Sequence, residues 1–192
     1  MRRTTILLVC GLALILCAGY GTAQSPADTL KVDYFSNANT TNAPDGTLRL
    51  TNPGTSGGDT CAAIYVLDPN QEMSECCSCL LTPDGLRTIS INNDLTSNPL
   101  TGIKLTTGVI KILSIQLING ACPAFPIGTT PIAGLRSWGT HIQNSAFTLT
   151  ETPSQDATLS SSEQLGLQNA CHAIKIVGSG KGTCTCGTGE TT

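Results

Sequence analysis

The densest group of potentially reactive residues is the segment ECCSC, residues 75–79, which places three cysteines in five positions. Zinc and iron–sulfur sites need thiolates, usually from two separated pairs with C-x₂₋₄-C spacing. The first and last of these cysteines have C-x-x-C spacing, but a third lies between them, and the second group, 184–186, has a single intervening residue. A redox C-x-x-C would need a thioredoxin-like βαβ context, which the sequence does not predict. Disulfides are therefore favoured over a metal site and over thiol exchange.

The N-terminus decides how these cysteines are interpreted. Residues 1–23 combine Arg2 and Arg3, an apolar run over 6–18 and a small-residue end, Gly21-Thr22-Ala23. This pattern predicts a secretory signal peptide, with an uncleaved anchor as the alternative. We therefore expect a secreted protein, extracellular or at the cell surface, in an oxidising environment.

Eight of the ten cysteines lie outside the predicted signal. We expect them to form up to four disulfides, and their spacing leaves the connectivity open. They are Cys61, Cys76, Cys77, Cys79, Cys122, Cys171, Cys184 and Cys186. Because adjacent cysteines do not readily bridge each other, Cys76 and Cys77 should have different partners. We predict that Cys184 or Cys186 pairs with a member of the 76–79 group, which would link the sheet to the C-terminal tail.

A calcium site is a second possibility for the same region. The segment DPNQEMSE spaces Asp68, Asn70 and Glu72 at alternate positions, with Glu75 beyond them. Hard cations prefer several oxygen ligands from one loop. The glycine and terminal glutamate of an EF-hand are missing, so solvated acids and turn caps are the favoured alternative. Apart from this possible Ca²⁺, no cofactor is expected.

Catalytic signatures are not found in the sequence. The only histidines are His141 and His172, and neither belongs to a nucleophile or zinc-protease motif. QNACH, 168–172, lacks the first cysteine of a C-x-x-C-H haem attachment site. His141 is predicted to lie on a strand surface. The three Phe, three Tyr and single Trp provide little for a glycan-binding platform. We expect no enzyme activity and no haem.

Charge excludes two further classes of partner. Without Arg2 and Arg3 the ten basic residues become eight, against thirteen acidic ones, giving a net charge of about −5. The remaining Lys and Arg residues are scattered along the sequence, so neither a nucleic-acid face nor a polybasic membrane patch is expected. After signal cleavage no membrane association is predicted.

The segments between these motifs predict mainly strands. Alternating or continuous apolar patterns mark strands at 28–35, 48–52, 60–68, 86–92, 135–143 and 146–153. Residues 69–85 are predicted to be irregular, and 103–118 to form two strands or one bent strand because Gly108 interrupts the run. Ser160 stands three residues before Glu163, a capping-box spacing, so a helix is expected near 160–176.

These elements predict one antiparallel β-sandwich-like domain with a C-terminal helix, stapled by disulfides. The predicted organisation is a signal peptide over 1–23, an N-terminal strand and polar linker over 24–47, and the β-domain over 48–192, which ends in a Gly/Cys-rich tail. The N-terminal strand places Leu30, Val32 and Tyr34 on one face, with Lys31 and Asp33 on the other. It either completes its own sheet or joins the sheet of another copy by β-strand addition.

Several strings of the sequence resemble a known group of proteins. These are residues 70–102, WGTHI at 138–142, residues 150–165 and GSGKGTCTC at 178–186. They are similar, in the same order, to signal-bearing, cysteine-rich proteins of acidobacteria for which no activity is assigned. The resemblance implies a bacterial, exported, β-rich protein and transfers no catalytic or binding residue.

The sequence thus favours a non-catalytic structural or adhesive protein of the cell surface. One form of this hypothesis is a pilus-like filament subunit that assembles through its N-terminal strand. A secreted calcium- or glycan-binding module is the alternative, and a secreted hydrolase is the third hypothesis.

Overall fold

Two five-stranded sheets form the protein in a computed structural model, which describes residues 28–178 and 180–189. The predicted signal peptide and residues 24–27 lie outside the described residues. The first sheet, in spatial order, contains β4 (Met73–Leu81), β3 (Thr60–Leu67), β6 (Gly108–Ile115), β1 (Leu30–Phe35) and β9 (Gln155–Ala157). The second sheet contains β10 (Thr188–Gly189), β5 (Leu86–Ser90), β2 (Thr47–Thr51), β7 (Arg136–Gln143) and β8 (Thr148–Pro153). Neighbouring strands in both sheets are antiparallel, which confirms the predicted fold class.

The predicted helix is present as α1 (Ser161–Val177). The hydroxyl of Ser160 accepts a 3.1 Å hydrogen bond from the Glu163 N–H, so the capping residue was identified correctly from the sequence. Leu167 and Cys171 on α1 pack with Leu30 and Tyr65 in one apolar cluster. The helix therefore covers the outer face of the first sheet.

The first sheet has apolar neighbours on both faces. Ile64 of β3 packs into the core between the two sheets, whereas Ala63 and Tyr65 pack beneath α1. This explains why TCAAIYVL is an almost unbroken apolar run: seven of its eight residues are buried. The second sheet has one solvated face, where Thr47 and Thr140 meet hydroxyl to hydroxyl at 2.8 Å.

Two local predictions were wrong. The region 69–85, predicted to be irregular, contains the nine-residue strand β4, which pairs with β3 except at Ser74, where the register shifts. Cysteines and serines occupy five of its nine positions, so the alternation of apolar and polar residues that indicates a strand was not recognised. Gly108 begins β6 instead of bending it. A Cβ at this position would lie 2.5 Å from the Leu67 carbonyl oxygen and 2.7 Å from the Phe35 ring, so glycine is required by close packing.

All eight cysteines form disulfides, namely Cys61–Cys122, Cys76–Cys171, Cys77–Cys184 and Cys79–Cys186. Because ECCSC is a strand, Cys76 points to α1 whereas Cys77 and Cys79 point into the core between the sheets. The prediction that the adjacent cysteines have different partners is confirmed. Both cysteines of the tail pair with the 76–79 group, where the sequence predicted at least one.

The tail lies along the outer side of β4. The Cys76 N–H donates to the Gly182 carbonyl at 2.9 Å, and the Cys184 N–H donates to the Cys76 carbonyl at 3.3 Å. We call β4 together with residues 182–186 the disulfide-linked edge. After it, the chain crosses to the second sheet, where β10 pairs with β5.

Candidate functional site

The clearest concentration of buried polar groups begins on β1. Lys31 and Asp33 are 4% and 6% exposed and share the strand face of Phe35, which packs between the sheets. The sequence suggested the opposite arrangement, with Leu30, Val32 and Tyr34 forming the apolar face. In the structure Leu30 is buried beneath α1, but Tyr34 is 49% exposed. The face of β1 that carries Lys31 and Asp33 is therefore buried, and the candidate site lies on that face.

Asp33 is held by several hydrogen-bond donors. Its Oδ2 accepts a hydrogen bond from the Ser154 hydroxyl, and its Oδ1 accepts one from the Tyr34 N–H at 2.8 Å. His141 Nε2 lies 3.6 Å from Oδ1. A Cβ at position 139 would come within 2.4 Å of Oδ2, so Gly139 is needed for the carboxylate to approach β7. A buried carboxylate needs this kind of compensation, because desolvating an unpartnered charge is costly.

His141 completes the group. Its Nε2 is 2.8 Å from the Thr152 hydroxyl, and its ring stacks on Tyr34 with centroids 4.1 Å apart. The residue is 3% exposed, so the prediction of a strand-surface histidine was wrong. Its side chain lies on the inner face of β7 and is covered by Tyr34. We call Asp33, His141, Thr152 and Ser154 the corner cluster.

The corner cluster lies where the chain passes from the second sheet to the first. Residues 148–153 pair with β7 in the second sheet, and residues 155–157 pair with β1 in the first. Ser154 is the residue between them, at the corner where the chain changes sheets. Its hydroxyl bond to Asp33 therefore links the two sheets at the point of crossing. The corner cluster adjoins a cleft of about 220 Å³ that Val32 and Val109 also line.

The corner cluster contains an acid, a base and two hydroxyls, but their geometry differs from that of a catalytic triad. In a triad, the base contacts the nucleophile through one ring nitrogen and its orienting carboxylate through the other. Here Nε2 of His141 faces both Thr152 and Asp33, whereas its Nδ1 is buried with no hydrogen-bond partner. The arrangement therefore differs from a catalytic triad, and it joins the two sheets through polar contacts.

A second charged group lies beside the corner cluster. Lys31 forms ion pairs with Asp28 and Asp156, and Asp28 also pairs with Arg136. Lys31 is almost completely buried, so it needs these two carboxylates. The pairs connect β1 to β9 and, through Asp28, to β7, so both groups link β1 to β7.

Two carboxylates of the predicted calcium site, those of Asp68 and Glu75, already accept hydrogen bonds from the chain. Asp68 Oδ1 already accepts the N–H groups of Asn70 at 2.9 Å and Glu72 at 2.8 Å, so it caps its own loop. Glu75 is fully buried on β4 and accepts the Asn98 N–H at 3.0 Å. Among the described residues, Asp68, Glu72 and Glu75 do not form a cluster with carboxylate oxygens close enough to share an ion. Calcium binding by this loop stays a prediction.

Glu75 is unusual for another reason. Its Oε2 is buried without a hydrogen-bond partner. Burial raises the pKa of Glu75 to about 7, although the Asn98 hydrogen bond and the charge of Lys104 both oppose this rise. Glu75 is thus a buried acid with a pKa near neutrality, and it lies within the disulfide-linked edge.

One sulfur cluster has the dimensions of a metal site. The Sγ atoms of Cys77, Cys79 and Cys186 lie within 4.8 Å of one another. All three are bonded in disulfides, and a metal ligand must be a thiolate. The cluster is therefore two neighbouring disulfides that join the tail to β4.

The chain matches no family model, no curated protein and no solved structure. Within residues 28–178 and 180–189, no helix is both long and apolar enough to cross a membrane.

Sequence reasoning missed Asp33, Ser154 and Thr152, and misplaced His141. One signal was available in the strand SWGTH, where Gly139 interrupts a β pattern. A glycine inside a strand often marks a close approach of another group. The identity of that group, Asp33, depends on how the two sheets pack and could not be read from the sequence.

Proposed function

We propose that this chain is an exported, non-catalytic structural or adhesive domain of the cell surface. The observation that carries the proposal is the distribution of the disulfides. Each joins a strand of the first sheet to a segment outside that sheet: a loop, the helix or the tail. Such links resist unfolding and persist in oxidising compartments.

The corner cluster supports the same function. Apart from Nδ1 of His141, its polar atoms contact one another, and Asp33 and His141 are nearly inaccessible to solvent. A catalytic or binding site would present polar groups to a ligand. This network instead holds the two sheets together at the corner where the chain crosses between them.

Assembly through the N-terminal strand stays a separate prediction. In the structure β1 pairs with β6 over six residues and with β9 over three, all within one chain. A donor-strand filament would require β1 to leave this position and take the same place in a neighbouring copy. The released strand would take the buried Lys31 and Asp33 with it, so the exchange would have a high barrier.

The proposal is tested in the source bacterium. An epitope-tagged full-length chain is followed by cell fractionation and immunogold microscopy, with N-terminal sequencing of the exported form. We expect label on the outer surface or in the extracellular matrix, and loss of adhesion or matrix cohesion when the gene is deleted. Protein retained in the cytoplasm, or a deletion strain with unchanged surface properties, would contradict it.

The filament hypothesis needs its own experiment. Tyr34 and Val109 are direct cross-strand partners, so Tyr34→Cys with Val109→Cys should lock β1 into its own sheet. Peptide mapping verifies the new disulfide. Filaments of wild-type protein that are lost in the locked variant support strand exchange, whereas filaments formed equally by both exclude it. Added Ca²⁺ in the same preparations tests the alternative binding module, which predicts a rise in the melting temperature that is lost in Asp68→Ala.

A further inference from the structure

The two sheets differ in how their edges are closed. In the first sheet, residues 182–186 cover β4 at one edge, and β9 at the other edge has only three residues. In the second sheet, β10 has two residues, but β8 is a six-residue edge strand whose residues are all exposed. Natural edge strands are commonly protected by charged side chains, especially lysines, by prolines, by bulges or by covering loops. β8 contains no lysine and pairs continuously with β7; its one charged residue is Glu151, and its proline, Pro153, stands at the last position of the strand.

The register shows which backbone groups of β8 face outward. The Ser154 N–H donates to the Ser137 carbonyl at 3.0 Å, so residues 137 and 154 form a hydrogen-bonded pair. In an antiparallel ladder such pairs alternate with pairs whose backbone groups point away from each other. Residues 149, 151 and 153 fall in the second class, opposite 142, 140 and 138. The N–H and C=O groups of Leu149 and Glu151 therefore face away from β7, together with the Pro153 carbonyl.

We propose that this edge pairs with β8 of a second copy of the chain. The two strands run antiparallel about a two-fold axis at Thr150, and the second sheets of both copies join into one continuous sheet. The inference goes beyond the proposed function, because an isologous contact of this kind would serve a structural, a binding or a catalytic domain equally.

The backbone selects this register. With Thr150 opposite Thr150, residue 149 of each copy faces residue 151 of the other, and both outward N–H groups of each strand meet a carbonyl. A register centred on Glu151 would place Leu149 opposite Pro153, which has no N–H to return. A register centred on Leu149 would place Glu151 opposite Phe147, whose N–H already donates to the Asn144 carbonyl at 3.3 Å. Only the Thr150 register satisfies all the free donors.

The side chains agree with the backbone. In TLTET, residues 148–152, threonines occupy the first, third and fifth positions. An antiparallel pair centred on Thr150 therefore places each of these threonines opposite another threonine. Threonine pairs are favourable across strands, whereas like charges directly opposite are not. Leu149 faces Glu151 of the other copy, so no two acids are opposed. Leu149 is also 50% exposed in the single chain and would be partly covered in the pair.

The test uses two opposite charges at one position. Leu149→Lys places an ammonium opposite Glu151 of the second copy, and Leu149→Glu places a carboxylate there. The axis creates this contact twice, so we expect Leu149→Glu to raise the dimer dissociation constant by about tenfold or more. Leu149→Lys should bind as tightly as wild type or more tightly. The measurement is sedimentation equilibrium of the full exported chain at low and high salt.

A third variant tests the backbone. Leu149→Pro removes an outward N–H without removing a bond to β7, so it should abolish the dimer while the monomer keeps its circular dichroism spectrum. A wild-type chain that stays monomeric at millimolar concentration overturns the proposal, and so does equal weakening by Lys and Glu. A monomeric chain whose β8 amides gain protection only on adding an extended peptide would likewise overturn it in favour of a heterologous partner.

Discussion

The disulfide-linked edge and the corner cluster close opposite sides of the first sheet by different chemistry. At β4, four residues of the strand and tail pair through Cys77–Cys184 and Cys79–Cys186, and few polar side chains are involved. At the corner, Asp33 and His141 are buried with hydroxyl partners and no covalent link. The first edge resists opening because the tail cannot diffuse away. The corner resists opening because separation would leave buried polar groups without partners.

The difference predicts different responses to perturbation. Covalent closure acts mainly by restricting the unfolded chain, so its effect depends on the length of loop that each link closes. Polar closure acts in the folded state and depends on every partner being present. The following changes separate the two, beginning with the largest expected effect.

Removal of both tail disulfides should be the most destabilising change. Because Cys76–Cys171 remains, the additional loop that these links close is effectively the segment from residue 171 to 184. A loop of that size corresponds to about 3 kcal/mol of unfolding free energy. By the same relation the short loop between the two links adds about 2 kcal/mol. We therefore expect a loss of about 5 kcal/mol for the variant with Cys77, Cys79, Cys184 and Cys186 all changed to Ala, measured by guanidinium unfolding.

The control is removal of a single pair. With one tail link kept, the other closes only the short loop between residues 77–79 and 184–186, so the loss of either one should cost about 2 kcal/mol. A single-pair loss as large as that of the four-cysteine variant would show that native-state strain or packing, and not chain entropy, dominates at this edge.

Asp33→Ala tests the corner. It leaves the Ser154 hydroxyl and the Tyr34 N–H without their acceptor in a buried position, which should lower the unfolding free energy by about 2–3 kcal/mol. Asp33→Asn keeps the shape and an acceptor, and so should cost less. If both variants unfold at the wild-type denaturant midpoint, the corner contributes no stability and the contrast between the two regions fails.

Glu75 gives the disulfide-linked edge a pH dependence. Its pKa is about 7 in the folded protein and near its ordinary value of about 4.3 when unfolded. Between these values the folded chain holds the extra proton, so this contribution to stability is complete below about pH 4 and is lost as pH rises through about 7. The loss should be on the order of 3 kcal/mol.

Glu75→Gln should abolish this slope, because glutamine has no proton to lose. The measurement is the denaturant midpoint between pH 4 and 8 in both proteins, with Glu72→Gln, an exposed loop acid, as the matched control. If the curves of the wild type and of the Glu75→Gln variant remain parallel across the whole range, Glu75 is not a neutral buried acid.

The smallest effect is expected at the solvated face of the second sheet. Arg49 and Glu151 form an ion pair there with side chains 37% and 41% exposed. Exposed pairs of this kind contribute about 0.2–1 kcal/mol and are screened by salt. Glu151→Gln should therefore shift the thermal midpoint of the monomer only slightly. A loss as large as that of Asp33→Ala would mean that exposure does not distinguish the two carboxylates.

Much of the fold followed from local patterns. The alternation at 28–35 and 48–52, the continuous run at 60–68 and the Ser160 cap each reflect a constraint that acts within one element. β4 was missed because small polar and cysteine residues replace its alternating apolar pattern. The corner cluster was missed because Asp33, on the charged side of an alternating strand, is expected to face solvent. In the structure the second sheet covers it.

By itself, the sequence determined the fold class, the capped helix and the requirement that the adjacent Cys76 and Cys77 have different partners. Hydrophobic period, capping chemistry and the geometry of adjacent cysteines are all local properties. Only the tertiary structure decided that the charged face of β1 is buried, that Asp33 meets His141, and which cysteine joins which. These outcomes depend on the order of strands and on the crossing at Ser154, because contacts between sheets are set by packing distant segments and not by the spacing of residues along the chain.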